Sequence, residues 1–259
     1  MSTPTSPTSS LVTRLFAAGA HFGFKKSRRH PTVAPYLYGT KDGNDVFDLE
    51  KTAVTVQTAA ATLREAGSQG KTVLFVGTKS EIARLVHASA ESTAMPFVVN
   101  RWIGGMLTNF SEIKKRIARL ESLRHEQETG ELDRKYTKKE RVVLGREMAK
   151  LDTNFGGIVS LQKRPDMMVV VDPRHDSIAV AEARELRIPI VAIASSDCNI
   201  ADLSYPIVIN DSLHASVKLV LDELVTALKA GQQAFVPAPV SSAAPRSETS
   251  RRTRTTAQS

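Results

Sequence analysis

A single cysteine, Cys198, stands in 259 residues. One thiol excludes an intrachain disulfide and every Cys-rich zinc pattern, and it fits a reducing, cytoplasmic compartment. No run reaches the eighteen apolar residues that a membrane-spanning helix requires. The N-terminus also lacks the apolar stretch of a signal peptide. The chain is poor in catalytic signatures: neither G-x-S-x-G nor H-E-x-x-H occurs. No G-x-G-x-x-G follows a strand-like run. Residues 76–80 (VGTKS) leave a strand and approach a helix, where a phosphate loop would sit. They lack the long glycine-flanked turn whose amides wrap phosphates. What remains there is a helix start and Lys79, a contact for an RNA phosphate rather than a nucleotide cradle.

Acidic charge is missing from residues 1–35, which hold Arg14, Lys25, Lys26, Arg28 and Arg29. Residues 232–259 carry Arg246, Arg251, Arg252 and Arg254 against Glu248. These two ends account for the whole formal net charge of +8, so residues 36–231 sum to zero. Basic ends seek a polyanion; the plain alternative is a solvated charge run.

Residues 1–10 (MSTPTSPTSS) contain only small polar residues and proline beside the initial Met, and read as a disordered extension. A transit peptide would share that composition but needs more arginine. Leu11, Val12, Leu15 and Phe16 have helical spacing. Residues 50–67 read as a helix ending at Gly67. The continuous apolar runs at 72–76, 96–99, 167–171, 188–194 and 206–209 are strands buried on both faces. A helix that Ser80 is placed to cap, with Ile82, Leu85 and Val86 on its inner face, and helices at about 176–187 and 211–230 alternate with them. That alternation predicts an α/β parallel sheet covered on both sides. From Gln232 the tail reads as disordered.

Residues 106–155 break the alternation. Phe110, Ile113, Ile117 and Leu120 step by three and four, as do Leu144, Met148, Leu151 and Phe155. Asn109 with Glu112, and Thr137 with Glu140, have capping-box spacing. Two amphipathic helices around Gly130 form a helical hairpin, with the cluster Lys114, Lys115, Arg116 and Arg119 the part expected to touch a partner. The domains are therefore a discontinuous α/β unit, 11–105 with 156–231, interrupted by a hairpin at 106–155.

Asp172, His175, Asp197, Asp202, Asp211 and His214 gather at strand ends, where open α/β sheets bind ligands. A hydrolase or metal-dependent enzyme is one reading. Carboxylates that cap nearby helices are the other. No complete ligand set is present, so no catalytic residue, metal or cofactor is assigned. Residues 100–110 (NRWIGGMLTNF) hold the only tryptophan, a cation beside it and a double glycine. Glycine permits close backbone approach, and Arg and Asn suit phosphate and sugar contacts. A tight turn with Trp102 plugging the core explains the same residues.

Those residues also carry a resemblance. Residues 102–109 (WIGGMLTN) are similar to the signature of the bacterial small-subunit ribosomal protein S-two family. GAHFG at 19–23, LEKT at 49–52, FVGTK at 75–79, PD at 165–166, IPIVAI at 188–193, YPI at 205–207 and ND at 210–211 resemble its further motifs in order. The sequence departs from the pattern at residues 24–31 (FKKSRRHP), where added cations stand against a lost ring, and at residues 195–197.

The resemblance implies a Rossmann-like or flavodoxin-like sheet with a protruding, coiled-coil-like hairpin. It implies a non-enzymatic constituent of the small ribosomal subunit, acting in translation, that binds small-subunit rRNA. It implies neighbouring small-subunit proteins as partners, including ribosomal protein S-one, with neither a membrane nor self-association. The residues expected to touch RNA are Lys25, Lys26, Arg28, Arg29, Lys79, Arg101, Trp102, Gly104, Gly105, Asn109, Lys114 and Lys115. A free-standing RNA-binding module is the alternative.

Overall fold

The computed structural model describes residues 7–235. Five strands, β4 (Val73–Val76), β5 (Phe97–Val98), β6 (Met167–Val171), β7 (Ile190–Ala194) and β8 (Tyr205–Val208), form a parallel sheet of order β5-β4-β6-β7-β8. The register Phe75↔Phe97, Val76↔Val170, Val171↔Ile193 and Ala194↔Val208 aligns their carboxyl ends. All residues of β4, β6 and β7 are buried, which is why these strands read as unbroken apolar runs rather than alternating ones.

Alternation of side chains along each strand divides the core into two layers. Val73, Phe75, Val169, Val191 and Ile207 face one layer, here the upper, with α2 (Leu49–Ser68), α3 (Ala83–Ser92) and α8 (His214–Gln233). Leu74, Val76, Met168, Val170 and Ala192 face the other with Trp102, Phe110 and α7 (Ser177–Glu185). α2 starts at Asp48, whose carboxylate accepts the amides of Glu50 at 3.1 Å and Lys51 at 3.3 Å.

Residues 106–155 contain α4 (Phe110–Glu128), the short α5 (Glu131–Lys135) and α6 (Lys138–Phe155). Ile113, Ile117, Leu120 and Leu123 form the buried stripe of α4, and α4 packs along α6. Arg119 reaches Glu147 at 3.4 Å, and Arg124 pairs with Asp152. Thr137 and Glu140 make the expected capping box. Among the described residues no helix is long and apolar enough to cross a membrane.

Several local expectations are corrected. α1 (Pro7–Ala17) begins four residues before the apolar spacing starts, so residues 7–10 belong to a helix; residues 1–6 lie outside the described chain. α8 continues to Gln233, and Phe235 lies against Gly70; the rest of the Arg-rich tail is not among the described residues. Ser80 caps nothing, because α3 begins at Ala83 without a side-chain cap. Asn109 precedes α4 but its side chain makes no cap bond.

A second sheet was not anticipated. β1 (Phe22–Lys25), β2 (Leu37–Lys41) and β3 (Asn44–Phe47) form an antiparallel ribbon of order β1-β3-β2. Asp42 and Gly43 join β2 to β3, both at positive φ (52° and 77°). That is the left-handed pair that tight hairpins require, and the Asp-Gly dipeptide was its visible signal.

Candidate nucleic-acid interface

The segment after β5 is organised by one buried carboxylate. Glu182, on α7 and 7% exposed, accepts the Trp102 indole N–H at 3.1 Å and the Gly105 amide at 2.8 Å. It also accepts the Leu107 amide at 2.9 Å, the Thr108 amide at 3.1 Å and the Thr108 hydroxyl at 3.2 Å. Burial acts to raise its pKa, but the bonds from Leu107, Trp102, Thr108 and Gly105 outweigh it and hold the acid below the ordinary glutamate value. Gly105 has φ +85°, a conformation that favours glycine. Gly104 is exposed, and a Cβ there would meet no atom within 4 Å. The fold therefore explains Gly105 and leaves Gly104 open.

This corrects one expected RNA contact. Trp102 is buried, packed against the lower core layer, and its only donor is satisfied by Glu182. It holds the turn from beneath and presents no face to a partner.

The basic segment 25–29 also divides. Arg29 donates from Nε to Asp45 at 2.9 Å and from Nη2 to Thr40 at 2.9 Å, and its guanidinium pairs with the fully buried Asp45 carboxylate. The bond to Asp45 raises the Arg29 pKa further. A buried carboxylate needs this cation, so Arg29 is a structural residue, contrary to expectation. Arg28 lies over the Phe24 ring, 4.5 Å from its centroid, and reaches Asp197 at 3.2 Å. Lys25 and Lys26 are exposed and have no ion-pair partner among the described residues. The segment is anchored on the β7 end, where Phe24 N–H donates to Ser196 Oγ at 3.0 Å and His30 N–H to the Ser196 carbonyl at 2.8 Å.

Lys79 is engaged within the protein as well. Its ammonium lies 3.3 Å from Asp172 and 3.9 Å from Glu81. Burial acts to lower its pKa, but Asp211, Asp172 and Glu81 together raise it. The neighbouring Thr78 amide, where a phosphate oxygen would bind, donates instead to Asp176 at 3.1 Å, and Thr78 Oγ1 donates to the same carboxylate at 2.6 Å. The crevice between β4 and β6 is closed by the protein's own acids, so Lys79 is withdrawn as a phosphate contact.

Of the other expected residues, Arg101, Asn109 and Lys114 are exposed. Lys114 sits above the Phe110 ring at 5.5 Å, and Lys115 is drawn to Glu112 at 2.6 Å. α7 connects the two main segments: Glu182 grips the glycine turn, while Ser177, Val180 and Arg184 line a groove with Arg28. Sequence reasoning missed Glu182, Asp45, Arg174 and Arg184. The signal for Glu182 was a carboxylate among Ala179, Ala183 and Leu186, on the inward-facing stripe of a helix.

The acids at the strand ends serve cations and structure. Asp197 is shared by Arg28 and Arg174 and caps no helix, contrary to expectation. Burial pushes the Cys198 thiol up to about 12, far from a nucleophile's range. Burial, reinforced by Asp172, raises Asp211 from 3.8 to about 6.

A raised carboxylate contributes its full stability below its unfolded value and loses it as pH rises through the folded one. Asp211 should therefore cost roughly 3 kcal/mol by pH 7, on the order of 1.4 kcal/mol per unit. Asp211→Asn is expected to match the wild type near pH 4 and exceed it increasingly up to pH 7. Denaturant midpoints across that range check this; parallel curves would refute it.

A sequence-family model described as "Ribosomal protein S2" matches residues 15–231. The chain is 40% identical over 225 residues to "Small ribosomal subunit protein uS2c" of Rhodomonas salina, covering 87% of this chain and 92% of that protein. It is 39% identical over 221 residues to "Small ribosomal subunit protein uS2" of Picosynechococcus sp., covering 85% and 86%. A third relative of the same description, from Rippkaea orientalis, is 38% identical over 221 residues.

Proposed function

From the premise that this chain belongs to the ribosomal protein S2 family and is a structural constituent of the small ribosomal subunit, we propose that it binds small-subunit rRNA directly. The surface proposed combines Lys25 and Lys26 with Arg101, Gly104, Asn109 and Lys114; Lys115 takes part by exchanging Glu112 for a phosphate, and Arg28 through the donors that its bond to Asp197 leaves free. The observation that carries this reading is the sorting of charge. Arg28, Arg29 and Lys115 each have an acidic partner, whereas Lys25 and Lys26, which project from an anchored segment, and Arg101 and Lys114 have none among the described residues. Gly104 adds a backbone position that nothing within the fold requires to be glycine.

The test runs in two steps. Tagged protein from lysate is sedimented at low magnesium, so that the subunits separate. Stoichiometric comigration with the small subunit, lost only at high salt, is expected; protein left at the top of the gradient would sink the reading. Affinity for protein-free small-subunit rRNA is then measured against salt. Lys25→Ala with Lys26→Ala should make the slope of log affinity against log salt shallower by about 1.4–1.8, for two phosphate contacts. An unchanged slope would remove the lysines from the interface.

A second reading concerns protein partners. Phe16 and Phe22 are exposed and flank His21, with ring centroids 4.6 Å and 4.0 Å away. An exposed aromatic cluster of this kind fits a protein neighbour better than a phosphate backbone. It supports docking of ribosomal protein S-one, the protein partner that the family resemblance implies. Loss of that protein, but not of rRNA, from subunits carrying Phe16→Ala and Phe22→Ala is the expected outcome.

A further inference from the structure

A groove of about 630 Å³ opens at the carboxyl ends of β6 and β7, between the 173–177 turn, the 197–202 turn and the basic segment before β2. Arg28, Arg174 and Arg184 line it, together with Ser177 at the start of α7 and Asn199. Arg174 lies 2.5 Å from Asp197 Oδ2 and Arg28 lies 3.2 Å from the same oxygen. Arg184 reaches Asp202 Oδ1 at 2.8 Å. Three guanidinium groups thus face two carboxylates, and Arg28 and Arg174 share a single oxygen atom.

Asp197 is almost fully buried, while all three arginine side chains are more than half exposed. A buried anion fixes two cations at a surface without neutralising both. Each guanidinium has five N–H donors in a rigid fork, and each uses one on these carboxylates. The remaining donors, the uncompensated charge and the positive end of α7 favour an anion.

We propose that this groove is a phosphate-binding site, with Arg28, Arg174 and Arg184 as its donors and Asp197 as the residue that positions Arg28 and Arg174. The phosphate is carried either by the rRNA backbone or by a free nucleotide; on the first source the groove extends the rRNA surface proposed above and rests on that reading. Arg174 and Arg184 belong to none of the sequence motifs, so they can be varied without touching the lysine pair or the glycine turn.

The test uses the full chain with two probes, protein-free small-subunit rRNA and ADP. Two variants are compared with the wild type. Arg174→Gln with Arg184→Gln removes two donors but keeps long polar side chains. Ala181→Glu adds a carboxylate to the groove wall at an exposed position. Thermal melting confirms that both remain folded.

If the phosphate belongs to RNA, each variant lowers rRNA affinity about tenfold, and the double variant makes the salt slope shallower by about 1.4–1.8. If it belongs to a free nucleotide, wild-type protein binds ADP, both variants lose that binding, and rRNA affinity is unchanged. Wild-type affinity for both probes retained in both variants overturns the groove. Wild-type protein that binds rRNA through the lysines while ignoring both variants leaves the rRNA reading standing and removes only this site. Wild-type protein that fails to bind rRNA removes that reading, and the ADP arm alone then decides the groove; no ADP binding overturns it.

Discussion

Glu182→Ala is expected to destabilise the protein by about 3–5 kcal/mol and to weaken rRNA binding even under conditions where the chain remains folded. The carboxylate ends five hydrogen bonds, from the Trp102 indole, the amides of Gly105, Leu107 and Thr108, and the Thr108 hydroxyl. Each buried donor left without an acceptor costs about 1–3 kcal/mol, and bonds to a charged group lie at the upper end. The turn will admit water when the side chain is cut back, so the costs do not simply add. Glu182→Gln keeps the shape but puts an amide N–H₂ against donors, and should lie between the two.

Trp102 is the only tryptophan and lies within this network, so its fluorescence reports the turn separately from global unfolding. A red-shifted emission in Glu182→Ala, below the main denaturant transition, is the expected result. If the variant keeps wild-type emission and midpoint, the carboxylate does not organise the turn. Trp102→Ala completes the comparison: its buried ring predicts a clear loss of stability, with any loss of RNA binding following from the disordered turn.

The legibility of this chain in its sequence followed the physics of each element. The parallel strands were plain because both faces are buried, so no polar residue interrupts runs such as MMVVV at 167–171. The hairpin helices showed in the spacing of Phe110, Ile113, Ile117 and Leu120, and the cap at Thr137 and Glu140 is local chemistry. The ribbon β1-β3-β2 was illegible by periodicity because its strands are short and largely exposed, with little apolar alternation. The helical reach at both ends was underestimated because Pro7 and Gln233 lie beyond the obvious apolar positions.

The candidate site was less legible than the fold, for a different reason. The sequence displays residue types, but pairing decides which of them is available. Lys25 and Arg29 read alike in a basic run, yet Arg29 is committed to Asp45, sixteen residues away, and Lys25 has no such partner among the described residues. Trp102 and Gly104 stand in one motif, yet one is buried against Glu182 and the other is open. Arg174 and Arg184 became part of a groove only when the β6 and β7 turns met the segment before β2. Long-range pairs of this kind leave no local spacing to read.

The second large effect concerns the crossing of α2 and α8, which with α3 cover the upper core layer. Gly67 and Gly231 face each other there. A Cβ at Gly67 would lie 2.6 Å from the Leu228 carbonyl oxygen and 2.9 Å from the Gln232 amide nitrogen. A Cβ at Gly231 would overlap the Arg64 carbonyl oxygen and lie 3.0 Å from the Ser68 amide nitrogen. These obstacles are backbone atoms, so no side-chain rotation relieves them, and the helices must separate. Val56, Leu63, Leu224 and Leu228 are packed to nearly zero exposure in that layer, and separation opens gaps among them.

Alanine is the better helix former by about 1 kcal/mol, so propensity alone predicts that Gly231→Ala stabilises the protein. Overpacking of the crossing should override it, with a net loss of about 2–3 kcal/mol. Gly145 supplies the matched control, because it lies within α6 and a Cβ there meets nothing within 4 Å. Gly145→Ala is expected to gain up to about 1 kcal/mol. The same substitution should therefore move the denaturant midpoint in opposite directions at the two sites. A gain at both would mean that the helices part without cost, and that their close approach does not hold the sheet's upper layer.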